Sequence, residues 1–124
     1  MAKKKLIPIS AFLDTAEAIM REQTKKHDQL LFWRGMFPHK MLGHTLERDT
    51  IIIGFSDEKG SSSPPTIPVM TVYIDGFGGF WSAEIAFRTG SSTDVSMSTP
   101  FGGGHKPINE VRELAERLPS LPRL

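Results

Sequence analysis

The spacing of apolar residues predicts a long helix at the start of the chain. From Phe12 to Leu31, mostly apolar side chains recur at three- and four-residue steps, which is the period of one face of an α-helix. Ser10 precedes this stretch and is a residue type that caps helices. We predict a helix of about six turns that ends near Gly35, or two helices separated in the polar stretch 21–29. An apolar group is expected to fill the core where the chain leaves the helix: Phe32, Trp33, Met36 and Phe37.

Between residues 50 and 99 the pattern changes to the two-residue alternation of half-buried β-strands. Thr50–Phe55 is the clearest strand, because it contains three consecutive isoleucines. A five-residue turn at Asp75–Gly79 is expected to form a hairpin, since Asp-Gly and repeated glycines accept the positive φ of tight turns. The other predicted strands are Val69–Ile74, Phe80–Phe87 and Asp94–Thr99. This alternation indicates a sheet with one packed face and one solvated face.

A second helix is predicted at the end of the chain. Apolar residues follow Pro107 at helical spacing, charged residues take the opposite side, and Pro119 ends the pattern. The predicted order is α-β-β-β-β-α, an α+β fold of two layers in which an antiparallel meander of three to four strands carries an N-terminal and a C-terminal helix on one face. We expect a single globular domain over 1–124, with a frayed segment at 1–7 and a flexible Ser/Pro loop at 56–68.

The composition is that of an ordinary small globular domain. The 124 residues include 15 basic and 14 acidic side chains and no cysteine, which excludes disulfides, thiolate metal ligands and cysteine nucleophiles. No uncharged stretch is apolar enough for a membrane-spanning helix, and the start of the chain lacks the features of a signal peptide. We therefore expect a soluble, cytoplasmic protein that does not bind membranes.

The near-neutral net charge conceals an uneven distribution along the chain. Residues 1–49 hold nine basic and six acidic side chains (net +3), residues 50–104 hold two and five (net −3), and residues 105–124 hold four and three (net +1). Phosphate contacts supply most of the affinity in nucleic-acid binding, so a nucleic-acid interface is expected only at the basic ends. The residues predicted for such contacts are Lys25, Lys26, Lys40, His105 and Lys106, together with Lys3–Lys5.

The sequence contains no arrangement typical of a catalytic or metal site. His39 and His44 are five residues apart, which is not a recognised spacing of paired metal ligands. No serine stands in a nucleophile elbow, and the acidic residues of the last helix have the pattern of a solvated face. We accordingly expect no enzymatic activity, no metal and no cofactor.

The glycine-rich stretch before the last helix is a candidate anion site. Gly102–Gly104 precede His105, Lys106 and a helix start, and backbone amides at such a point can bind phosphate. The spacing matches neither a Walker loop nor a dinucleotide-binding fingerprint, and Pro107 lacks an amide hydrogen. A crossover loop from the last strand to the helix is the favoured interpretation, and anion binding is the alternative.

Aromatic residues in the predicted hairpin are the candidates for protein binding, because large aromatic side chains are enriched at interaction hot spots. They are Phe77, Phe80 and Trp81. Trp81 shares a predicted face with Ile85 and Phe87, so a place in the core is its competing assignment. The preferred function is a small non-enzymatic protein-binding module, such as an inhibitor, immunity or accessory protein that masks a partner surface. The alternative is nucleic-acid binding through the basic residues, and a half-polar sheet is also compatible with a homodimer.

The predicted order of elements resembles one known family, and a four-residue motif resembles another. The order of elements, with Lys106 just before the last helix, resembles that of the double-stranded-RNA-binding domain, which binds phosphates through lysines at the start of its last helix. Pro107 and Glu110 stand where that family has further basic residues, so the resemblance implies a phosphate contact at Lys106 alone. Gly78–Trp81 is similar to the Gly-Gly-aromatic-Trp stretch of plasmid antirestriction proteins. Neither resemblance is treated as family membership.

Overall fold

The computed structural model describes residues 6–56, 62–89 and 94–124, except for the side chains of Met41 and Phe77. Within these ranges the chain forms two α-helices and a five-stranded sheet in the order α-β-β-β-β-β-α. The elements are α1 (Ile9–Thr24), β1 (Leu31–Met41), β2 (His44–Phe55), β3 (Ile67–Phe77), β4 (Phe80–Phe87), β5 (Val95–Pro100) and α2 (His105–Ala115), followed by a 3₁₀ turn at Leu118–Ser120. The predicted α+β two-layer class is confirmed, with five strands where three to four were expected.

The sheet is an antiparallel meander in which strands that are adjacent in sequence are adjacent in space. Its central row of paired residues runs from Ile51 through Val72 and Ile85 to Met97. Both helices pack on this side of the sheet, and the side chains that meet there include Phe12, Met20, Ile51, Val72, Ile85 and Val111. Each buried side chain of this size stabilises the fold by roughly 1.5–3 kcal/mol, so this face holds the two layers together.

The segment after Thr24 is not helical, so the predicted long helix is wrong beyond that residue. A buried histidine holds the chain in a turn: His27 donates from Nε2 to the carbonyl of Leu121 at 2.9 Å and accepts the backbone N–H of Gln29 at Nδ1. The chain then forms β1, which pairs with β2 along its whole length. Pro38 is tolerated inside this strand because β1 is at the edge of the sheet.

The apolar group predicted to fill the core at the end of the helix is therefore divided between the two faces of β1. Phe32 packs against the core. Trp33 and Phe37 lie on the opposite face of the strand, and Met36 is exposed. A helical interpretation placed these four side chains together, whereas the strand separates them by the alternation of its side chains.

The hairpin between β3 and β4 is tighter than the predicted five-residue turn. Phe77 already pairs with Phe80, so the turn consists of Gly78 and Gly79 alone. Both have positive φ, 61° and 86°, which is the conformation that two-residue hairpins require. At its other end β3 begins at Ile67, inside the stretch predicted as a Ser/Pro loop; residues 57–61 of that stretch lie outside the described part of the chain.

The N-terminal end of the described chain is attached to the loop before α2. The N–H of Ile7 donates to the carbonyl of Gly103 at 2.9 Å, and the side chain of Ile7 packs against the core. This residue is thus held, although it falls in the segment predicted to fray; residues 1–5 lie outside the description. Helix α1 follows Pro8, so Ser10 lies in the first turn instead of at the cap.

Arg34 on β1 joins the helix layer to the sheet. Its guanidinium donates to Asp14 at 2.7 Å and to Glu17 at 3.1 Å on α1, and to both oxygens of Asp49 on β2 at 3.1 and 2.8 Å. Burial alone would raise the pKa of Glu17, but hydrogen bonds from Arg34 and Arg21 outweigh it and hold this pKa below its ordinary value. The positive charge of Arg34 therefore compensates the carboxylates of Asp14, Glu17 and Asp49.

Candidate functional site

The second face of the sheet is packed by neither helix, and we call it the open face. Its side chains alternate with those of the core along each strand. One row crosses all five strands at Gly35, Thr50, Tyr73, Glu84 and Ser98. A neighbouring row consists of Trp33, Ile52, Thr71, Ala86 and Ser96. The open face is therefore built from polar, small and aromatic residues.

A pocket of about 560 Å³ lies on the open face, and we call it the open-face pocket. This volume is within the roughly 300–1,000 Å³ that ligand pockets occupy. The β1–β2 hairpin lines one side of it, and β3, β4 and β5 line the rest. The open-face side chains around it include Phe37, His39, Tyr73, Glu84 and Ser98.

One side of this pocket is an aromatic wall that consists of Phe37 and His39 from the β1–β2 hairpin and Tyr73 from β3. The ring of His39 stacks on Tyr73, with centroids 3.8 Å apart and planes 23° from parallel. Phe37 meets His39 edge to face at 5.4 Å, and Trp33 meets Phe37 at 6.1 Å. The stack forms because β2 pairs with β3 only from Thr50 onward, which leaves the far half of the hairpin able to bend over the open face.

Hydrogen bonding and burial keep the aromatic wall uncharged at neutral pH. The single hydroxyl proton of Thr50 goes to the carbonyl of Arg48 at 2.8 Å, so His39 donates from Nε2 to the Thr50 oxygen at 2.9 Å. Burial and the Arg48 guanidinium lower the pKa of His39, against the opposing effect of Asp75. Burial and the neighbouring carboxylates raise the pKa of Tyr73. The pocket thus presents a neutral imidazole and a neutral phenol.

Two carboxylates stand on the open face in different electrostatic environments. Asp75 is buried and lies 3.4 Å from Nε of Arg48. Among the described residues, Glu84 accepts hydrogen bonds only from hydroxyls, with Ser98 at 2.9 Å and Ser82 at 3.4 Å. Both hydroxyls contact the same oxygen, Oε1, so Oε2 accepts no hydrogen bond from the described residues. Glu84 is therefore a half-buried carboxylate that forms no ion pair with any basic side chain in the described part of the chain.

A second, smaller depression of about 340 Å³ lies at the end of the sheet near the β3–β4 turn. Phe80 and Trp81 line it, and 83% and 47% of their respective surfaces are exposed. The Trp81 indole lies over Gly76, where a Cβ would be 2.6 Å from Cε3. Trp81 thus lies outside the core, unlike Ile85 further along its strand. Phe77 pairs through its backbone with Phe80, but its side chain is outside the description.

The residues predicted to contact phosphate lie on separate elements. Lys25 and Lys26 follow α1, Lys40 is in β1 and Lys106 is in the first turn of α2, and all four side chains are exposed. The Nε2 atom of His105 is buried and has no hydrogen-bond partner among the residues that the structure describes. Lys3–Lys5 lie outside the described residues. The structure thus brings Phe80 and Trp81 together around one depression and leaves the basic residues distributed over the molecule.

The glycine loop before α2 is covered by the N-terminal segment. Gly102, Gly103 and Gly104 all have positive φ, as a backbone anion nest can. A Cβ at Gly103 would lie 2.9 Å from Leu6, and one at Gly104 would lie 2.8 Å from Ile7. Apolar side chains of the N-terminal segment therefore lie against Gly103 and Gly104.

Sequence reasoning did not identify the open-face pocket. It placed Phe80, Ser82 and Glu84 on one face of the returning strand, which is where they lie, but it considered His39 only as a metal ligand. Among the described residues no group of three or more potential ligands could hold a metal ion. The missing signal was β1, because its first half was assigned to the end of a helix and its second half to a loop, which removed Phe37 and His39 from the sheet.

Comparison with known proteins gives no match: no family model, no curated protein and no solved structure is significantly similar to the chain. None of the described helices is long and apolar enough to cross a membrane. The function has to be inferred from the geometry of the open face.

Proposed function

We propose that the chain is a small non-enzymatic protein-binding module that covers a surface of its partner, as an inhibitor or accessory protein does. The observation that carries the proposal is the exposure of Phe80, which leaves 83% of a phenylalanine in solvent beside a depression on the open face. Burying an exposed aromatic side chain in a partner is a common source of binding energy at protein interfaces. Phe80 is therefore the proposed anchor of the interface.

The surroundings of Phe80 support this assignment. Phe80, Ser82 and Glu84 alternate along β4 toward the open-face pocket, so the depression and the pocket adjoin on one face. An aromatic centre beside polar groups is the usual arrangement of a protein-binding surface. Trp81 adds a second large, half-exposed aromatic side chain at the same end of the sheet.

The charge of the open face argues for a protein partner over a nucleic acid. Glu84 and Asp75 lie on this face, and residues 50–104, which include β3, β4 and β5, carry two basic against five acidic side chains. Such a segment offers few cations that could neutralise phosphates, and Arg48 on this face is already paired with Asp75. Nucleic-acid binding would instead have to use exposed lysines such as Lys40 and Lys106, which belong to separate elements.

Site-specific photo-crosslinking tests the proposal. The photoreactive residue p-benzoylphenylalanine replaces Phe80 in one protein and Glu113, an exposed position on α2, in a matched control. Both proteins are irradiated in nuclease-treated extract of the native host at low and at high salt. We expect a discrete protein adduct at position 80 that is absent at position 113 and persists at high salt, because aromatic burial is little screened by ions.

Two results would overturn the proposal. One is the same set of adducts at both positions, which would show that position 80 is not an interface. The other is a salt-sensitive shift of DNA or RNA by the purified chain together with no adduct at position 80, which would favour the phosphate-binding alternative.

A further inference from the structure

We propose that the open-face pocket binds a cationic side chain, an arginine or a lysine, of the protein partner. The inference rests on the proposed function, because it takes the occupant of the pocket from that partner. It follows from the juxtaposition of the Glu84 carboxylate with the aromatic wall of Phe37, His39 and Tyr73.

The carboxylate of Glu84 is positioned to accept a hydrogen bond from a ligand. Ser98 and Ser82 both donate to Oε1, which holds the side chain in place and leaves Oε2 available to an incoming donor. Two other carboxylates of the sheet already have arginine partners: Asp75 pairs with Arg48, and Asp49 with Arg34. Glu84 has no cation within 4 Å among the described residues, so a cation from outside would supply the missing charge.

The one remaining basic side chain that lines the pocket does not supply this charge. Arg88 follows Glu84 by four residues on the same strand, which places the two backbones about 13 Å apart. Its side chain is exposed, and none of the ion pairs among the described residues joins it to Glu84. Arg88 therefore lies at the rim of the pocket, and the floor around Glu84 stays acidic.

The aromatic wall favours a cation of the arginine or lysine type. The π faces of aromatic rings attract such groups, and the apolar stem of a long basic side chain packs well against rings while its charged end reaches a carboxylate. Tyr73 pairs directly with Glu84 across β3 and β4. A basic side chain that enters past Phe37 therefore meets rings first and the carboxylate at the floor.

The test is an NMR titration of the full, isotope-labelled chain with short blocked peptides. The probes are acetyl-Gly-Arg-Gly-amide, its lysine counterpart and its citrulline counterpart, which has nearly the shape of arginine but no charge. We expect the arginine and lysine peptides to shift the amide signals of Tyr73, Glu84 and Ser98 in a saturable manner, and the citrulline peptide to bind at least about tenfold more weakly. Equal binding of the citrulline peptide would overturn the proposal.

Two variants locate the charge that the peptides recognise. Glu84→Gln retains an amide oxygen for the serine hydroxyls and should weaken the arginine peptide by about tenfold or more. Glu113→Gln removes the same charge from the exposed side of α2 and should leave the affinity unchanged. An equal loss of affinity in both variants would show that only the net charge of the chain matters, and it would contradict the proposal. A thermal unfolding curve for each variant verifies that it is folded.

n-Butylguanidinium, a free guanidinium with the single charge of the arginine peptide, distinguishes a partner's side chain from a small-molecule ligand. Binding of n-butylguanidinium more than about tenfold tighter than of the arginine peptide would assign the pocket to a small guanidine and overturn the assignment to a protein partner. These titrations use the purified chain alone, so their outcome is independent of crosslinking at Phe80. A negative titration with a positive crosslink would reject the cation site while retaining the proposed function.

Discussion

Thr50 is fully buried, and its hydroxyl determines which ring nitrogen of His39 carries the proton. The hydroxyl donates to the carbonyl of Arg48 and accepts from His39 Nε2. This leaves Nδ1 of the neutral ring as an acceptor. A single hydrogen-bonded threonine thus orients the ring that stacks on Tyr73 and forms part of the pocket wall.

The lowered pKa of His39 makes the stability of the protein depend on pH. The unfolded chain has a histidine pKa of about 6.5, whereas burial and Arg48 place the folded pKa below that value. As pH falls through 6.5 toward the folded pKa, the unfolded chain takes up the proton more readily, so the free energy of unfolding decreases. We expect this loss in urea unfolding experiments at pH 7.5 and at steps down to pH 5, and none from this group above pH 6.5.

Substitution of the histidine isolates this contribution. His39→Asn should flatten the pH dependence in that window, whereas His44→Asn, at an exposed position of β2, should leave it as in the wild type. An NMR titration that places the pKa of His39 at or above its ordinary value would contradict the expectation.

At the level of single residues, the sequence alone could predict part of the candidate site. The alternation along Phe80–Phe87 predicts that Glu84 and Phe80 share a face, and the structure agrees. His39 could not be placed, because its contact with Tyr73 depends on the bend of a hairpin that no local pattern indicates. The exposure of Trp81 was also not predictable, since it depends on how far the helices extend over the sheet.

Among the elements, β1 shows how a local pattern can be consistent with the wrong secondary structure. His27, Leu30 and Leu31 continue the helical spacing of α1, but His27 is buried through its bond to Leu121, which is 94 residues away. That tertiary contact accompanies the end of the helix. The sequence near position 27 contains no local signal that would predict it. The strands between residues 67 and 100 were easier to predict, because alternation and turn glycines agree there.

The pairing of β2 with β3 depends on a glycine at the register shift between Ile53 and Gly54. A Cβ at Gly54 would lie 2.2 Å from the carbonyl oxygen of Ile67 and 2.9 Å from Cα of Pro68. Both atoms belong to the backbone, so no side chain can move aside. We expect Gly54→Ala to lower the free energy of unfolding by about 3 kcal/mol, near the upper end for overpacking.

The control for this prediction is a glycine at which an added Cβ would meet no other atom. Gly43 has a φ of 82° and no atom within 4 Å of an added Cβ, so Gly43→Ala should cost only the backbone strain of about 1 kcal/mol. Urea unfolding of both variants gives the comparison. Equal stability of the two variants would show that the close approach at Gly54 is relieved without cost.

At the scale of the whole molecule, the two layers separate stability from recognition. The helices and one face of the sheet bury the core, in which Phe87 has no exposed surface. The open face contributes its pocket and its exposed aromatics without a second layer above them. The acidic segment 50–104 includes three of the five strands and contributes the carboxylates of Asp75 and Glu84 to the open face.

This division predicts opposite outcomes for two phenylalanines of the same strand. Phe80→Ser removes a side chain that is 83% exposed, so the free energy of unfolding should change by no more than about 0.5 kcal/mol while the adduct formed through the open face is lost. For that readout the photoreactive residue is placed at Pro100, an exposed position that pairs with Ser82 on the open face and lines the same depression as Phe80. Phe87→Ala removes a fully buried side chain and should cost about 3–5 kcal/mol. Urea unfolding measures both, and a loss of stability in Phe80→Ser comparable to that in Phe87→Ala would show that Phe80 supports the fold and is not reserved for a partner.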